Sequence, residues 1–263
     1  MKIGDITGRT LQEYAVSEDP NRPHPKCSVG IEVELEGIPQ VSTAAKKALS
    51  LWTLAHDGSL QNGIELVSKP VWGSAITDAL NELRKFFKTY KAYLSFRTSV
   101  HVHVNVLDLE PKELEHFIKL YLFYEPSLFR LHSDWNRYEN IFCVPARKSV
   151  RIQEGYAALL HDVKERGQCG TSYVGCKYAA LNPNSVGHFG TLEFRHMGGT
   201  DDVDRIDKWI NLLLQLKVAA EASAPFDQPH DVFGKYEKEL TIRTSDIQDG
   251  WNMLEYINMQ GHL

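Results

Sequence analysis

In the stretch TSVHVHVNV, His101, His103 and Asn105 stand at every second position, with Val100, Val102, Val104 and Val106 between them. Valines at period two read as the apolar face of a β-strand, so the two imidazoles and the amide share the opposite face. Taken alone, that face is either ordinary strand surface or part of a site. Two further stretches repeat the pattern. In IEVEL, Glu32 and Glu34 lie on one face against Ile31, Val33 and Leu35. In LEFRH, Glu193 and Arg195 lie against Leu192, Phe194 and His196.

If these polar faces line one side of one sheet, carboxylates and imidazoles converge. Close carboxylates repel one another and burial adds a desolvation cost; a divalent cation removes both penalties. Carboxylate-rich sets with an occasional imidazole suit Mg²⁺ or Mn²⁺ better than structural zinc. Arg195 then supplies a fixed cation beside the metals, suited to a phosphoryl oxygen. Glu65, in GIELVSKP, is a further candidate ligand. Asp57 precedes Gly58, a common turn pair, and is either a turn residue or a member of the site.

The elements that must position these groups follow from the patterning. Cys27–Gly37 reads as a strand, and Trp52–Ala55 and Ile64–Val67 as two short strands joined through D-G-S and N-G turns. Ser74 is expected to cap a helix with Ile76, Ala79, Leu80, Leu83, Phe86, Phe87 and Tyr90 at helical spacing. Pro111 suits the first turn of a helix carrying Leu114, Phe117, Ile118, Tyr121 and Leu122 inward. Another helix is expected over Val150–Val163, a strand over Gly190–Gly198, and a last helix opening at Asp201 and Asp202 with Ile206, Trp209, Ile210, Leu213 and Leu214. Pro-rich Ser17–Lys26 reads as a loop delivering the chain into its first strand. Strands and helices alternate without a strict βαβ rhythm. The expected class is therefore α+β, a largely antiparallel sheet covered by helices on one face, in a single domain over residues 1–263.

Composition sets the outer bounds. The 43% hydrophobic and 24% charged residues suffice for a globular core over 263 residues and argue against disorder. A net charge of −5 with pI near 6.1 gives no sign of a general nucleic-acid binder. No apolar run approaches the ~20 residues of a membrane helix, and the opening MKIGDITGRTLQEYAV lacks the apolar centre of a signal peptide. Cys27, Cys143, Cys169 and Cys176 form no C-x-x-C, so a reduced, cytoplasmic chain without structural zinc is expected.

The set GIEVELEG, DGSLQNGIELVS, HVHVNV, KYAALN and GTLEFRHMGGT, in that order, resembles the amidoligases, carboxylate–amine ligases related to glutamate–cysteine ligase and glutamine synthetase. The resemblance runs from about Val29 to Trp209. It implies a glutamine-synthetase-like curved, mostly antiparallel sheet with helices on the outer face and the site in the concavity. It also implies Glu32, Glu34, Glu65 and Glu193 as ligands of Mg²⁺ or Mn²⁺, completed by His103 or His101. Arg195 would hold the transferred phosphoryl group. Asn105 and Asn182 match polar family positions, Arg137 in WNRYENIFCVP matches an Arg that would hold a substrate carboxylate, and Lys177 stands where family members often carry Arg.

The implied chemistry is ATP-dependent. A carboxylate is activated as an acyl phosphate with release of ADP, and an amine then displaces phosphate to leave an amide. Asp57 would accept the amine proton. The partners are ATP, a carboxylate and an amine, each from an amino acid, peptide or protein. The chain has no G-x-x-x-x-G-K-[ST], so metal bridges rather than a P-loop would hold the nucleotide. A metal-dependent hydrolase using the same ligands and a non-catalytic ligand-binding domain of the same fold are the alternatives.

Overall fold

The computed structural model describes residues 1–10, 27–38, 40–131 and 134–222. The loop expected over Ser17–Lys26 lies outside them. The described elements run in the order α1 (Ile3–Thr7), β1 (Val29–Leu35), α2 (Thr43–Ala48), β2 (Trp52–Ala55), β3 (Ile64–Ser68), α3 (Ser74–Thr89), β4 (Ser99–Asn105), α4 (Pro111–Leu131), α5 (Val150–His161), β5 (Leu181–Asn182), α6 (Asn184–Phe189), β6 (Thr191–Gly198) and α7 (Val203–Glu221).

The strands form one open six-stranded sheet in the order β2-β3-β1-β4-β6-β5, and each neighbouring pair is antiparallel. The α+β expectation therefore holds at the level of a mixed fold built on an antiparallel sheet. The valines of β4 are fully buried together with Ile31, Val33 and Leu35 of β1 and Leu192 and Phe194 of β6. Helices α4 and α7 cover this apolar face. Phe194 meets Phe117 at 5.9 Å and Tyr121 at 6.0 Å from α4, and Trp209 at 6.4 Å from α7. Aromatic side chains bury the largest areas per residue, so this contact is the centre of the core.

Local signals are read correctly with small corrections. Asp202 accepts hydrogen bonds from the Asp204 and Arg205 amides and caps α7, as its position suggests. The cap of α3 is Gly73, not Ser74: Gly73 adopts φ 56°, a left-handed conformation that glycine reaches without a Cβ clash, and Ser74 is the first helical residue. Helix α5 stops at His161 and continues as a wider turn over Asp162–Arg166, ending at Gly167 with φ 60°. Strand β1 is shorter at both ends than the Cys27–Gly37 expected. No helix among the described residues is long and apolar enough to cross a membrane.

Candidate metal centre

Register decides which polar groups meet. Across β1 and β4, Glu32 stands opposite His101 and Gly30 opposite His103. Across β4 and β6, His103 stands opposite Glu193 and Asn105 opposite Thr191. Across β1 and β3, Glu34 stands opposite Glu65, and across β5 and β6, Asn182 stands opposite Glu193. Side chains alternate along each strand, so these pairings put Glu32, Glu34, Glu65, His101, His103 and Glu193 on the face that α4 and α7 leave free.

They sort into two neighbouring groups. Ligand atoms of Glu32, His103 and Glu193 lie within 4.8 Å of one another, and so do those of Glu34, Asp57 and Glu65. Adjacent ligands of an octahedral Mg²⁺ at ~2.1 Å stand about 3.0 Å apart and opposite ones about 4.2 Å, so each group must close only modestly to hold such an ion. All-oxygen donors in one group, and oxygen donors with a single imidazole in the other, are the chemistry expected for Mg²⁺ or Mn²⁺.

Most of the candidate ligands are oriented by a neighbour. His103 Nδ1 contacts Thr191 Oγ1 at 2.9 Å while its Nε2 faces Glu32 Oε1 at 3.1 Å. A second partner of this kind fixes the ring plane of a metal-binding histidine. Asn182 Nδ2 donates to Glu193 Oε2 at 2.7 Å, and Arg195 Nη1 donates to Glu193 Oε1 at 2.5 Å. His101 sits deeper: its Nδ1 is 3.0 Å from Glu32 Oε2 and its Nε2 is 2.8 Å from Ser99 Oγ. The Ser99 hydroxyl donates to Glu34. Asp57 Oδ1 accepts from the Ser59 amide at 2.6 Å, so Asp57 is both a turn residue and a member of the second group.

The electrostatics match a crowded acidic cleft. Burial and the charges of Glu32, Glu34, Asp57 and Glu193 push the Glu65 carboxyl up to about 8. Burial acts the same way on Glu32, but hydrogen bonds and charge from His101 and His103 outweigh it and hold that carboxyl far below its ordinary range. Glu193 is likewise lowered, since Arg195, His103 and His101 overcome its burial. His103 is raised: burial would lower it, but Glu32 and Glu193 dominate. Burial and like charges that together drive a carboxyl up are both penalties that a bound cation would relieve.

Beside Glu32 and His103 lies a cavity of about 350 Å³, lined by Gly30, Val67, Pro70, Leu107, Phe189 and Arg9 and by no member of the second group. The Phe189 side chain is exposed and stands edge-on to the His103 ring at 5.8 Å.

The remaining expected residues lie around this frame. Asn105 lines the cavity but is also tied back, its Nδ2 donating to Asp108 Oδ1 at 2.7 Å; Asp108 in turn accepts from the buried Lys217 of α7 at 2.7 Å. Arg137 is 1% exposed and donates through Nη2 to the Arg195 carbonyl at 2.6 Å. Lys177 is exposed beside Tyr178, whose ring packs on Phe142; the Phe142 carbonyl accepts from Arg195 Nε at 3.1 Å. Ser99, Thr191 and Glu36, whose Oε1 accepts from the Gln61 amide at 2.7 Å, belong to the site's surroundings and escape the sequence reading. Each continues by one step the period-two pattern that revealed its strand.

A family model described as "Putative amidoligase enzyme" matches residues 49–217. The matched stretch carries β2 to β6 and most of α7, and so Asp57, Glu65, His101, His103, Glu193 and Arg195; β1, with Glu32 and Glu34, precedes it. No curated protein matches the chain.

Proposed function

The chain belongs to the amidoligase family, and from that premise we propose that it is an ATP-dependent, ADP-forming carboxylate–amine ligase. The observation that supports this reading best is the pair of adjacent cation-fit groups on one sheet face, with Arg195 bonded to a member of the first. One ion would be held by Glu32, His103 and Glu193, the other by Glu34, Asp57 and Glu65. Bound Mg²⁺ or Mn²⁺ would neutralise phosphoryl oxygens and bridge the nucleotide to these carboxylates.

The cavity beside Glu32 and His103 would take the nucleoside, with Phe189 and Val67 against the base; its volume is at the lower end for small-molecule pockets. A substrate carboxylate oxygen attacks the γ-phosphorus, the bond from that phosphorus to the bridging oxygen breaks, and ADP leaves. A neutral amine then attacks the acyl carbon, the carbon–oxygen bond to phosphate breaks, and the amide forms as the leaving inorganic phosphate carries off the amine's proton. Arg195 is oriented by Glu193 and the Phe142 carbonyl, so its guanidinium can meet charge that develops on the transferring group without reorganising. His103 is assigned to the ion and His101 to support, because His103 belongs to the three-residue ligand group with Glu32 and Glu193 and His101 does not. Asp57 is assigned to the second ion rather than to the amine proton, because its carboxylate lies with Glu34 and Glu65. Arg137 is assigned to the support of β6, since its guanidinium is buried and bonded to the backbone there.

The test is product analysis with Mg²⁺-ATP and panels of carboxylates and amines. Stoichiometric ADP, phosphate and an amide of the summed mass minus water support the ligase. Cleavage of an amide or ester with metal but without nucleotide would replace it with a hydrolase.

A further inference from the structure

The two ligand groups are joined through the protein by a line of contacts centred on His101, which also stands 3.5 Å from Glu193 Oε1 and 4.0 Å from Glu34 Oε1. Glu32 Oε2 meets His101 Nδ1 at 3.0 Å, His101 Nε2 meets Ser99 Oγ at 2.8 Å, and the Ser99 hydroxyl donates to Glu34. The line begins on a member of the first group and ends on a member of the second, and neither group includes His101 or Ser99. The His101 side chain is only 3% exposed and Ser99 is 2% exposed, against 23% for the Glu32 side chain, so solvent has little access to the middle of the line. Strand pairing holds the line in place, since Glu32 and His101 are direct cross-strand partners.

We propose that His101 and Ser99 are positioning residues that couple occupancy of one cation site to the geometry of the other. The inference rests on the two-cation reading above. Glu32 Oε1 and His103 Nε2 contact each other at 3.1 Å, and a cation bound between them must share both atoms. A carboxylate is rigid and planar, so turning Oε1 toward the ion also turns Oε2, and with it the bond to His101. A buried imidazole cannot exchange that bond for water, so it follows, and Ser99 and Glu34 follow it. The first ion thus sets where Glu34 points before the second arrives, and the second ion meets a group already ordered. Through-space repulsion between the two ions also links the sites, but it needs neither Ser99 nor His101.

A double-mutant cycle on the metal-free full chain separates the two, with Mn²⁺ as the probe and calorimetric and electron paramagnetic titration as the readouts. Glu193→Gln removes a ligand of the first group; Ser99→Ala removes the hydrogen-bonded link between His101 and Glu34 and leaves only their 4.0 Å approach. With the first group intact, Ser99→Ala should weaken the second ion by ~10-fold or more, within the range usual for coupled sites. In the Glu193→Gln background, at Mn²⁺ levels that leave the first group empty, the same change should weaken it by less than about threefold. Equal loss in both backgrounds means that Ser99 merely holds Glu34, and overturns the coupling. His101→Gln leaves Glu34 its serine donor and cuts the line one residue earlier. It should abolish coupling in the same cycle, and retained coupling there is equally fatal, even if Ser99→Ala does not fold. Binding of a single Mn²⁺ by the unsubstituted protein would instead remove the two-cation reading itself, and is told apart by stoichiometry.

Discussion

Glu65 faces four other carboxylates of the cleft, and burial with their charges pushes its carboxyl from an ordinary value of 4.5 up to about 8. In metal-free protein at pH 7, roughly ten molecules in eleven then carry a proton on Glu65. A cation needs the carboxylate, so binding at Glu34, Asp57 and Glu65 must expel that proton. The apparent affinity falls by the factor 1 + 10^(pKa − pH), which is about 100 at pH 6, about 11 at pH 7 and about 2 at pH 8. Affinity for Mn²⁺ should therefore climb roughly ninefold from pH 6 to 7 and between five- and sixfold, roughly, from pH 7 to 8. His103 is also held above its ordinary value by Glu32 and Glu193, despite its burial, and steepens the rise when it takes the first ion. Calorimetry at pH 7 in buffers of different ionisation enthalpy counts the protons released. Glu65→Gln, which has none to lose, should flatten the profile and release about one proton fewer. Flat affinity from pH 6 to 8 in the unsubstituted protein, with no proton released at pH 7, would refute the reasoning.

Metal-free stability carries the opposite signature. The folded Glu65 carboxyl titrates above its unfolded counterpart, so the native state binds more protons between the two values. Its contribution is complete below about 4.5 and is lost as pH rises through about 8. Glu65→Gln should then gain on the unsubstituted protein in urea midpoint as pH rises from about 5 to 8. A constant difference across that range would mean that Glu65 ionises normally.

Three further outcomes are expected. Arg195→Lys keeps the charge but not the planar fork, so Mg²⁺-ATP affinity should stay within about tenfold while ADP release and amide formation fall together by ~10² or more; lost melting temperature with retained turnover would assign Arg195 to a purely structural pair with Glu193. Mg²⁺-ATP at ~100 Kd should stabilise the fold by roughly 2.7 kcal/mol in thermal unfolding, and Glu34→Ala should abolish most of that shift. A Cβ at Gly30 meets His103 Cβ at 3.5 Å and Cγ at 3.9 Å, both ordinary contacts, so Gly30→Ala should fold and bind nucleotide, whereas Gly30→Leu should fill the cavity and lose nucleotide without losing Mn²⁺; equal nucleotide affinity in the two variants would move the nucleoside elsewhere.

Much of this site is legible in three strands because alternation alone separates Glu32, Glu34, His101, His103, Glu193 and Arg195 from the core. What alternation cannot supply is register. Nothing within TSVHVHVNV distinguishes its histidines; His103 joins the ligand group because it pairs with Glu193, and His101 supports it because it pairs with Glu32. Ser99 and Thr191 share the parity of their chemically obvious neighbours, but a strand hydroxyl reads as ordinary until its cross-strand partner is known. Asn105 is held by Asp108 and, through it, by a lysine 109 positions further on, a contact no local pattern encodes. Asp57 reads as a turn residue and is one; its nearness to Glu34 and Glu65 depends on how the turn folds back over the sheet.

Arg195 and Arg137 show how one irregularity serves the whole arrangement. The pairing of β4 with β6 keeps a constant register from Asn105–Thr191 to Val102–Phe194, then resumes one residue out of step at Val100–Met197. Arg195 and His196 together therefore stand opposite His101, a β-bulge. Regular alternation past this point would turn Met197 toward the polar face; with the extra residue it faces the core beside Val100, fully buried, while His196 enters the aromatic cluster of Tyr121, Phe129 and Trp209. The bulge breaks the ladder at the Arg195 carbonyl, and a buried carbonyl without a donor is costly. Arg137 donates to that oxygen from the short turn Asp134–Glu139, with its side chain buried. The Arg195 amide meanwhile donates to the Ala180 carbonyl at 2.9 Å, fixing its backbone on the other side. With both backbone groups held, the Arg195 side chain is free to take its direction from Glu193 and the Phe142 carbonyl, toward the first ligand group. An arginine on an unbroken strand would stand upright beside Glu193; the bulge re-aims it, and Arg137 makes the bulge tolerable.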